Sequence, residues 1–481
     1  MCIECRSMSV PSPTADQPAV FDRRAWITLL VLCGVLFLDG LDVSMVGVAL
    51  PSIDADLNLS TSTLQWVVSG YVLGYGGLLL LGGRTADLLG RKRVLVAALT
   101  VFAGASLLGA LVDSGPLLIA ARFIKGAAAG FTAPAGLSII TTTFAEGPMR
   151  NRALGIYTAT GASGFSLGLV LGGLLTTAGW RWTFLLPVPI AIVLLIAAVR
   201  VLRPDPPRVT EGRFDVAGAV AVTGAMLALV FGIAGAPDAG WTSAQTLVAL
   251  VVAAALGAAF LTIERRVEHP LVRLGILRSP VIAGANLAGM TVFACYFGFQ
   301  FMVTLYMQQL LGWTALETAL AFLPAGLLVA FGAPRMGPLA TRFGTAPLIT
   351  AGLLSFVVGY ALFVPIDGSP VYTLAILPSM LLLGLGFALT YPAVNMAATS
   401  GVADHEQGLA SGLVSTSFQL GGALGLAIVT AVITSGSTGG SFLDELRPGL
   451  AVVTGLAVLG LSAVLGAVVA QRRLQARLAA A

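Results

Sequence analysis

Fourteen apolar runs follow one another along this chain with short polar breaks between them, and that succession limits what it can fold into. About 20 apolar residues in a helix cross the hydrocarbon of a bilayer. Inside that layer every backbone N–H and C=O must be satisfied within the protein, and a helix does so one segment at a time. The runs predict transmembrane helices near residues 26–48, 62–82, 92–112, 116–143, 153–178, 183–202, 214–235, 243–264, 281–311, 317–335, 346–365, 370–397, 407–435 and 448–470. The ninth is long enough to extend past the hydrocarbon. Composition points the same way, with 10% of residues charged against about 25% in soluble domains. The expected fold class is an all-α integral membrane protein. Its first run, Trp26 to Val48, is too long for the core of a cleaved signal peptide and is expected to remain as an anchor.

Charge placement gives the orientation. With the N-terminus inside, the inner segments hold Arg23, Arg24, the cluster from Arg84 to Arg93, Arg150, Arg152 and the arginines from Arg200 to Arg213. They continue with Arg265 to Arg278, Arg335, Arg342, Arg472, Arg473 and Arg477. Outer loops carry mainly acids: Asp54, Asp56, Asp113, Asp238, Glu317, Asp367, Asp444 and Glu445, with Arg181 and Arg447 as exceptions. Positive charge is retained on the cytoplasmic side, so both termini are expected there. Because the basic residues are spread over short loops, the net charge of +4 reports topology and not a nucleic-acid partner. Lys92 and Lys125 are the only lysines, a bias that suggests a bacterial source, and neither is followed by Ser or Thr. A Walker A loop is therefore missing and no ATP site is expected.

Cys2 and Cys5 form a CxxC in the polar N-terminal tail, without a second pair to complete a zinc site. Met8 offers an alternative start that would delete both. Cys33 and Cys295 lie in apolar runs as packing residues. His269 and His405 lie far apart in sequence, and no metal, cofactor or nucleophile–base set is expected.

The stretch Gly83-Arg84-Thr85-Ala86-Asp87-Leu88-Leu89-Gly90-Arg91-Lys92-Arg93 is a basic, glycine-punctuated segment between two apolar runs. It resembles the loop between helices 2 and 3 of the major facilitator superfamily. The resemblance implies a tight turn and a conformational latch formed by Gly83, Asp87, Gly90, Arg91 and Lys92. A second copy, Gly337-Pro338-Leu339-Ala340-Thr341-Arg342-Phe343-Gly344, matches it at both glycines and the Ala with an offset of 254 residues, but has lost the Asp. Two parallel six-helix halves are the expected architecture. The expected divisions are a cytoplasmic tail 1–25, an N-terminal bundle 26–203, a linker 204–280 with an inserted helix pair, a C-terminal bundle 281–471 and a cytoplasmic tail 472–481.

Ionisable residues deep in a span are costly and point to function. Helix 1 carries Asp39 and Asp42, and helix 4 carries Arg122 and Lys125, each pair on one helical face. From a rise of 1.5 Å per residue, Asp42 lies roughly 13 Å and Asp39 roughly 18 Å below an outer end at Pro51. Arg122 lies roughly 9 Å and Lys125 roughly 13 Å below Pro116. Antiparallel packing then predicts a ladder, Asp42 facing Arg122 and Asp39 facing Lys125, with Asp42 as the proton carrier. The bland alternative is a static structural ion pair.

Further motifs extend the resemblance. Leu41-Asp42-Val43-Ser44-Met45-Val46-Gly47-Val48-Ala49-Leu50-Pro51 resembles the helix 1 motif of the fourteen-helix drug:proton antiporters, with Ser44 and Gly47 in place of the usual Thr and Asn. Arg122-Phe123-Ile124-Lys125-Gly126 is similar to the helix 4 motif, with Lys125 in place of Gln. Gly155, Gly164, Gly168, Gly172 and Gly173 follow the antiporter motif of helix 5, with Leu169 in place of Pro. Trp180-Arg181-Trp182, Phe184 and Pro189 also fit, although Pro187 stands where Asn is common. The resemblance implies a transporter, not an enzyme. It implies export of small amphipathic compounds across a bacterial inner membrane in exchange for protons, by alternating access. An importer or uniporter is the alternative, and a membrane sensor or enzyme on the same scaffold is a more remote one. The expected partners are a small-molecule substrate, protons and the bilayer, with the chain acting as a monomer. A cavity between the halves draws candidates from Gln65, Tyr71, Tyr75, Asn286, Tyr296, Gln300, Gln308, Asn395, Ser415 and Gln419, where aromatics supply apolar contact and amides orient polar groups.

Overall fold

The computed structural model describes residues 22–59, 61–205, 215–267, 274–366, 370–435 and 442–480, and its regular structure among them is entirely helical. The CxxC pair, Pro206 to Phe214 and Glu268 to Arg273 lie outside the described residues. Among the described residues, fourteen helices are long and apolar enough to cross a membrane. They are α1 (Arg23–Leu57), α2 (Thr61–Leu89), α3 (Arg91–Leu111), α4 (Gly115–Thr143), α5 (Pro148–Ala178) and α6, a span built from Arg181–Leu185 and Pro187–Val201. Next come α7 (Val216–Ala239), α8 (Ala244–Glu264), α9 (Pro280–Leu305) and α10 (Ala315–Gly332, continued by Ala333–Arg335 and Met336–Phe343). The last four are α11 (Thr345–Phe363), α12 (Leu377–Thr399, led by the wide turn Tyr372–Ile376), α13 (Gln407–Ser435) and α14 (Phe442–Ala480).

Helix ends sit where local chemistry serves the unpaired N–H groups of a first turn. Asp22 accepts from the Ala25 N–H at 2.6 Å to start α1, and Thr314 with Glu317 forms a capping box at α10. Within the first half, α1 packs on α5 and α2 on α4, while α3 packs on α4 and α6. In the second half, α9 packs on α13, α11 on α12, and α14 on α9 and α11. The extra pair, α7 and α8, forms a hairpin whose first helix lies against both α2 and α13.

Two of the boundaries that differ from the sequence reading bear on the site. Helix α1 continues through Pro51 to Leu57, because Ile53 and Leu57 join the apolar cluster around Trp180 and Phe184. Helix α2 runs to Leu89, so the expected turn from Gly83 onward is helix, and the chain reverses at Gly90, whose φ is 104°. The second copy of the motif turns at Gly344, with φ 83°. Both glycines hold a backbone that a Cβ would strain, so the internal repeat is visible in the main chain.

Arg181, an exception to the charge rule, is explained by its neighbours. Its guanidinium reaches Asp56 at 2.6 Å and also pairs with Asp113, joining the ends of α1, α3 and α6 opposite the segment 84–93. Trp180 Nε1 donates to the same Asp56 at 2.9 Å. The hydrogen bond from Arg181, and then that from Trp180, hold the Asp56 carboxyl below its ordinary range. A carboxyl lowered on folding lends support above its unfolded value, and that support is lost as pH falls through the folded value. The melting midpoint of the wild type should therefore drop more steeply on acidification below about pH 4 than that of Asp56→Asn. Parallel midpoint curves for the two proteins would refute the clamp.

Candidate functional site

A fully buried carboxylate with two cations lies inside the first half. Arg122 donates from Nη1 to Asp42 Oδ2 at 2.7 Å, and Lys125 Nζ donates to Asp42 Oδ1. All three side chains are at most 1% exposed. Buried charges persist only when paired and hydrogen-bonded, and both cations have further partners. Arg122 Nε donates to the Val67 carbonyl at 3.0 Å, and its guanidinium lies 4.5 Å from the centre of the Tyr71 ring. Lys125 Nζ donates to Ser106 Oγ at 2.7 Å and faces the rings of Phe102 and Phe184. Ser106 in turn donates to the Phe184 carbonyl at 2.8 Å.

The second rung of the expected ladder is not formed. Asp39 and Lys125 do not bond; Lys125 shares Asp42 with Arg122, and Asp39 Oδ2 lies 3.1 Å from Thr132 Oγ1. A lysine ammonium sits on a flexible four-carbon stem. That reach takes Nζ to the free oxygen of Asp42, while Asp39, a turn lower on α1, falls opposite a hydroxyl farther along α4.

Helix α5 lies along α1 through its glycines. A Cβ on Gly164 would stand 2.9 Å from the Phe37 Cα, one on Gly168 2.9 Å from the Leu41 Cα, and one on Gly172 2.9 Å from the Met45 Cα. Gly173 is different: a Cβ there would meet nothing within 4 Å. It shares the motif but faces away from this contact.

At the basic end the two halves touch along two related seams. Gly83 on α2 meets α13, where a Cβ would run into the Gly408 carbonyl and stand 3.2 Å from the Gly412 Cα. Gly337, its repeat mate, meets α5, with a Cβ position 2.7 Å from the Arg152 Cα. Asp87 pairs with Arg91 at 3.0 Å and accepts from the N–H groups of Gly408 at 3.2 Å and Leu409 at 3.1 Å, at the start of α13. A carboxylate at a helix N-terminus is favoured by the unpaired N–H groups and the dipole. Arg91 also donates to the Asp404 carbonyl across the seam. Thr341 occupies the repeat position of Asp87, and Asn151 Nδ2 donates to its Oγ1 at 3.3 Å. Lys92 turns elsewhere, donating from Nζ to the carbonyls of Val199 and Leu202 at 2.7 Å, while Asp205 accepts from its N–H at 3.0 Å. It ties α3 to the end of α6 within one half.

A cavity of about 60 Å³ lies between the halves. Of the expected residues, Tyr75, Asn395, Ser415 and Gln419 line it. Tyr71 lies under Arg122 instead, and Asn286 accepts from Ser417 at 2.8 Å and donates to the Ile282 carbonyl. Tyr296 packs on Phe387 with ring centres 5.1 Å apart, Gln300 is off the cavity wall on α9, and Gln308 is exposed in the wide turn Tyr306–Leu310. The side chain of Gln65 lies outside the described residues. Residues the sequence did not single out complete the lining: Leu36, Ala133, Leu137, Tyr157, Phe293, Tyr391 and Phe418. Phe293 stacks on Phe418 at 4.5 Å and lies 5.7 Å from Tyr391, so the second-half wall is a continuous aromatic face. Among the described residues, no group of three or more His, Cys, Asp or Glu could hold a metal ion.

Comparison with known proteins places this geometry. A family model described as Major Facilitator Superfamily matches residues 32–426. The chain is 36% identical to a puromycin resistance protein of Streptomyces alboniger, over 84% of this chain and 81% of that one. It is 37% identical to a cephamycin export protein of Amycolatopsis lactamdurans, over 86% of each. Its fold matches the crystal structure of the human organic anion transporter MFSD10 with a TM-score of 0.67, at 17% identity, over 92% of this chain and 100% of that one.

Two stability measurements follow from these contacts. Asp42→Asn leaves two buried cations without a carboxylate and should destabilise the protein by about 3–5 kcal/mol, with much of the loss restored in Asp42→Asn/Lys125→Met. A single variant that melts like wild type in detergent would show that the cations find other support. Gly172→Val should cost about 1–3 kcal/mol by overpacking, whereas Gly173→Ala should leave the melting midpoint unchanged; equal effects at the two positions would contradict the α1–α5 contact.

Proposed function

The chain belongs to the major facilitator superfamily, and from that premise we propose that it exports small amphipathic compounds, an antibiotic or another secondary metabolite, in exchange for protons. It is a multi-pass protein of the bacterial inner membrane and a transport protein, not an enzyme. In the proposed orientation the basic end and both termini face the cytoplasm, and the chain works as a monomer. Residues 26–203 and 281–471 form the two moving halves, and 204–280 carries the inserted pair.

The observation that carries this reading is the buried charge set of Asp39, Asp42, Arg122 and Lys125 in one half, close to a cavity between halves lined by aromatics, amides and a hydroxyl. Protonation inside a low-dielectric site changes a charge where charge is costly, so it can bias one arrangement of the halves over another. The cavity supplies apolar area with a few orienting polar groups, as suits small amphipathic cargo. Its lining contains no charged side chain. The names of the relatives, resistance to puromycin and export of cephamycin, support outward movement of antibiotics. Asp87, Arg91, Gly83 and Gly90 serve in this reading as the latch of the cytoplasm-closed arrangement, while Lys92 anchors the segment within its own half.

Uphill uptake tests the proposal. Export in exchange for protons moves cargo toward the acidic side. Proteoliposomes with an acid lumen should accumulate puromycin severalfold beyond protein-free vesicles, and collapse of the pH gradient should abolish the excess. Uptake that only equilibrates, with or without the gradient, would favour a uniporter and overturn the proposal.

A further inference from the structure

The two carboxyls on α1 are served in different ways. Both oxygens of Asp42 are occupied by cations, Oδ2 by Arg122 and Oδ1 by Lys125. A proton there would displace one of two buried cations from its counter-charge. Asp39, 5% exposed, instead faces a hydroxyl. Thr132 Oγ1 lies 3.1 Å from Asp39 Oδ2 and also 3.1 Å from the carbonyl of Ala129. A hydroxyl has one hydrogen to donate and two lone pairs to accept. When it points to the Ala129 carbonyl, the Asp39 bond is completed by a proton on the carboxyl, with Asp39 donating. When it points to Asp39, the carboxylate accepts. Rotation about one side-chain bond therefore satisfies either protonation state without moving a helix.

We propose that Asp39, with Thr132 as its two-way partner, is the carboxyl that takes up and releases the transported proton, while Asp42 stays the fixed counter-ion of Arg122 and Lys125. This division of labour rests on the proton-coupled reading given above and assigns its proton to one residue. Uptake forms one O–H bond on Asp39 and changes the formal charge of the four-residue set from zero to +1. The groups within electrostatic range of Asp39 are Asp42 on its own helix, Lys125 on α4, Tyr71 and Tyr75 on α2, and Tyr157 on α5. Tyr75 and Tyr157 also line the cavity, together with Leu36, one turn from Asp39, and Ala133, next to Thr132. The carboxyl thus stands one layer of side chains from the space between the halves. Asp42, wrapped by Arg122, Lys125 and the helices that hold them, has no such neighbour among the lining residues.

Infrared difference spectroscopy of the full-length protein in nanodiscs, taken across a pH titration, reads this without any transport assay. A protonated carboxyl has a C=O stretching band that a carboxylate lacks. One titrating band of the wild type should be lost in Asp39→Asn and retained in Asp42→Asn/Lys125→Met, which keeps the remaining charges balanced. That band should shift in Thr132→Val and return to its place in Thr132→Ser, a rescue that a packing role alone would not give. A band that survives Asp39→Asn and disappears with Asp42 overturns the assignment, as does an unmoved band in Thr132→Val. If Asp39→Asn does not fold, the Thr132 pair still decides. Loss of the assignment leaves the puromycin uptake result standing, whereas the expected band in a protein without uphill uptake would remove the export reading alone.

Discussion

A single carboxylate, that of Asp42, pairs with two cations that are almost wholly buried. Through it, most of the first half is tied together. Arg122 carries the connection to α2 by the Val67 carbonyl and the Tyr71 ring, and Lys125 carries it to α3 and α6 by Ser106 and the Phe184 ring. The glycines of α5 then hold that helix against α1. A buried ion set of this kind is a poor source of net stability compared with apolar packing, because desolvating each charge costs several kcal/mol. Its value lies in specificity: five helices can satisfy those charges in few relative positions. The half is in consequence suited to move as one body.

A rigid half needs a place to pivot and a place to part, and the two seams at the basic end differ in this respect. They are copies by backbone, each with a packing glycine on one helix and a turning glycine a short distance on. They are not copies by chemistry. The Asp87 seam sets a carboxylate against two helix N-terminal N–H groups and adds the Arg91 bond to Asp404. The Thr341 seam has a neutral amide–hydroxyl bond in the same position. Charge-assisted hydrogen bonds are roughly twice as strong as neutral ones, so the Asp87 position holds its seam more strongly than the Thr341 position holds the other. Loss of the Asp from the second copy, visible in the sequence, therefore has a mechanical consequence that only the packing reveals.

The number of spans was legible because about 20 apolar residues have few other fates, and the meeting of Asp42 with Arg122 was legible because i, i+3 charges on antiparallel helices can be matched by depth. Lys125 was not, since its long stem lets the ammonium choose between two carboxylates a turn apart. Thr132 gave no signal at all: hydroxyls are common in membrane helices and most bond back to their own backbone. Phe293, Tyr391 and Phe418 could equally have faced lipid, and only the crossing of α9, α12 and α13 turns them into one wall. Gly83 was misjudged as part of a turn because a glycine that permits a bend and one that permits close helix contact look alike in a string of letters. Arg181 broke a topology rule for a reason the string contained, two acids elsewhere in the outer loops, but not in a form that paired them.

The inserted hairpin fits the same asymmetry. At the basic end α7 lays Ala219 and Val222 against Leu80 of α2 and Leu409 of α13, which are the helices of the charged seam. Farther along, Phe231 stacks on Trp66 at 5.3 Å, so the contact with α2 runs much of the helix length. The charged seam contains close glycine backbones and a carboxylate, groups that lipid tails cannot solvate. An apolar helix across its outer edge keeps hydrocarbon away from them while the seam is closed. Helix α7 contacts α2 more extensively than α13, and where Gly76 of α2 leaves room, Val230 of α7 and Gln419 of α13 both approach it. The pair is thus placed to add apolar contact to the charged seam between α2 and α13.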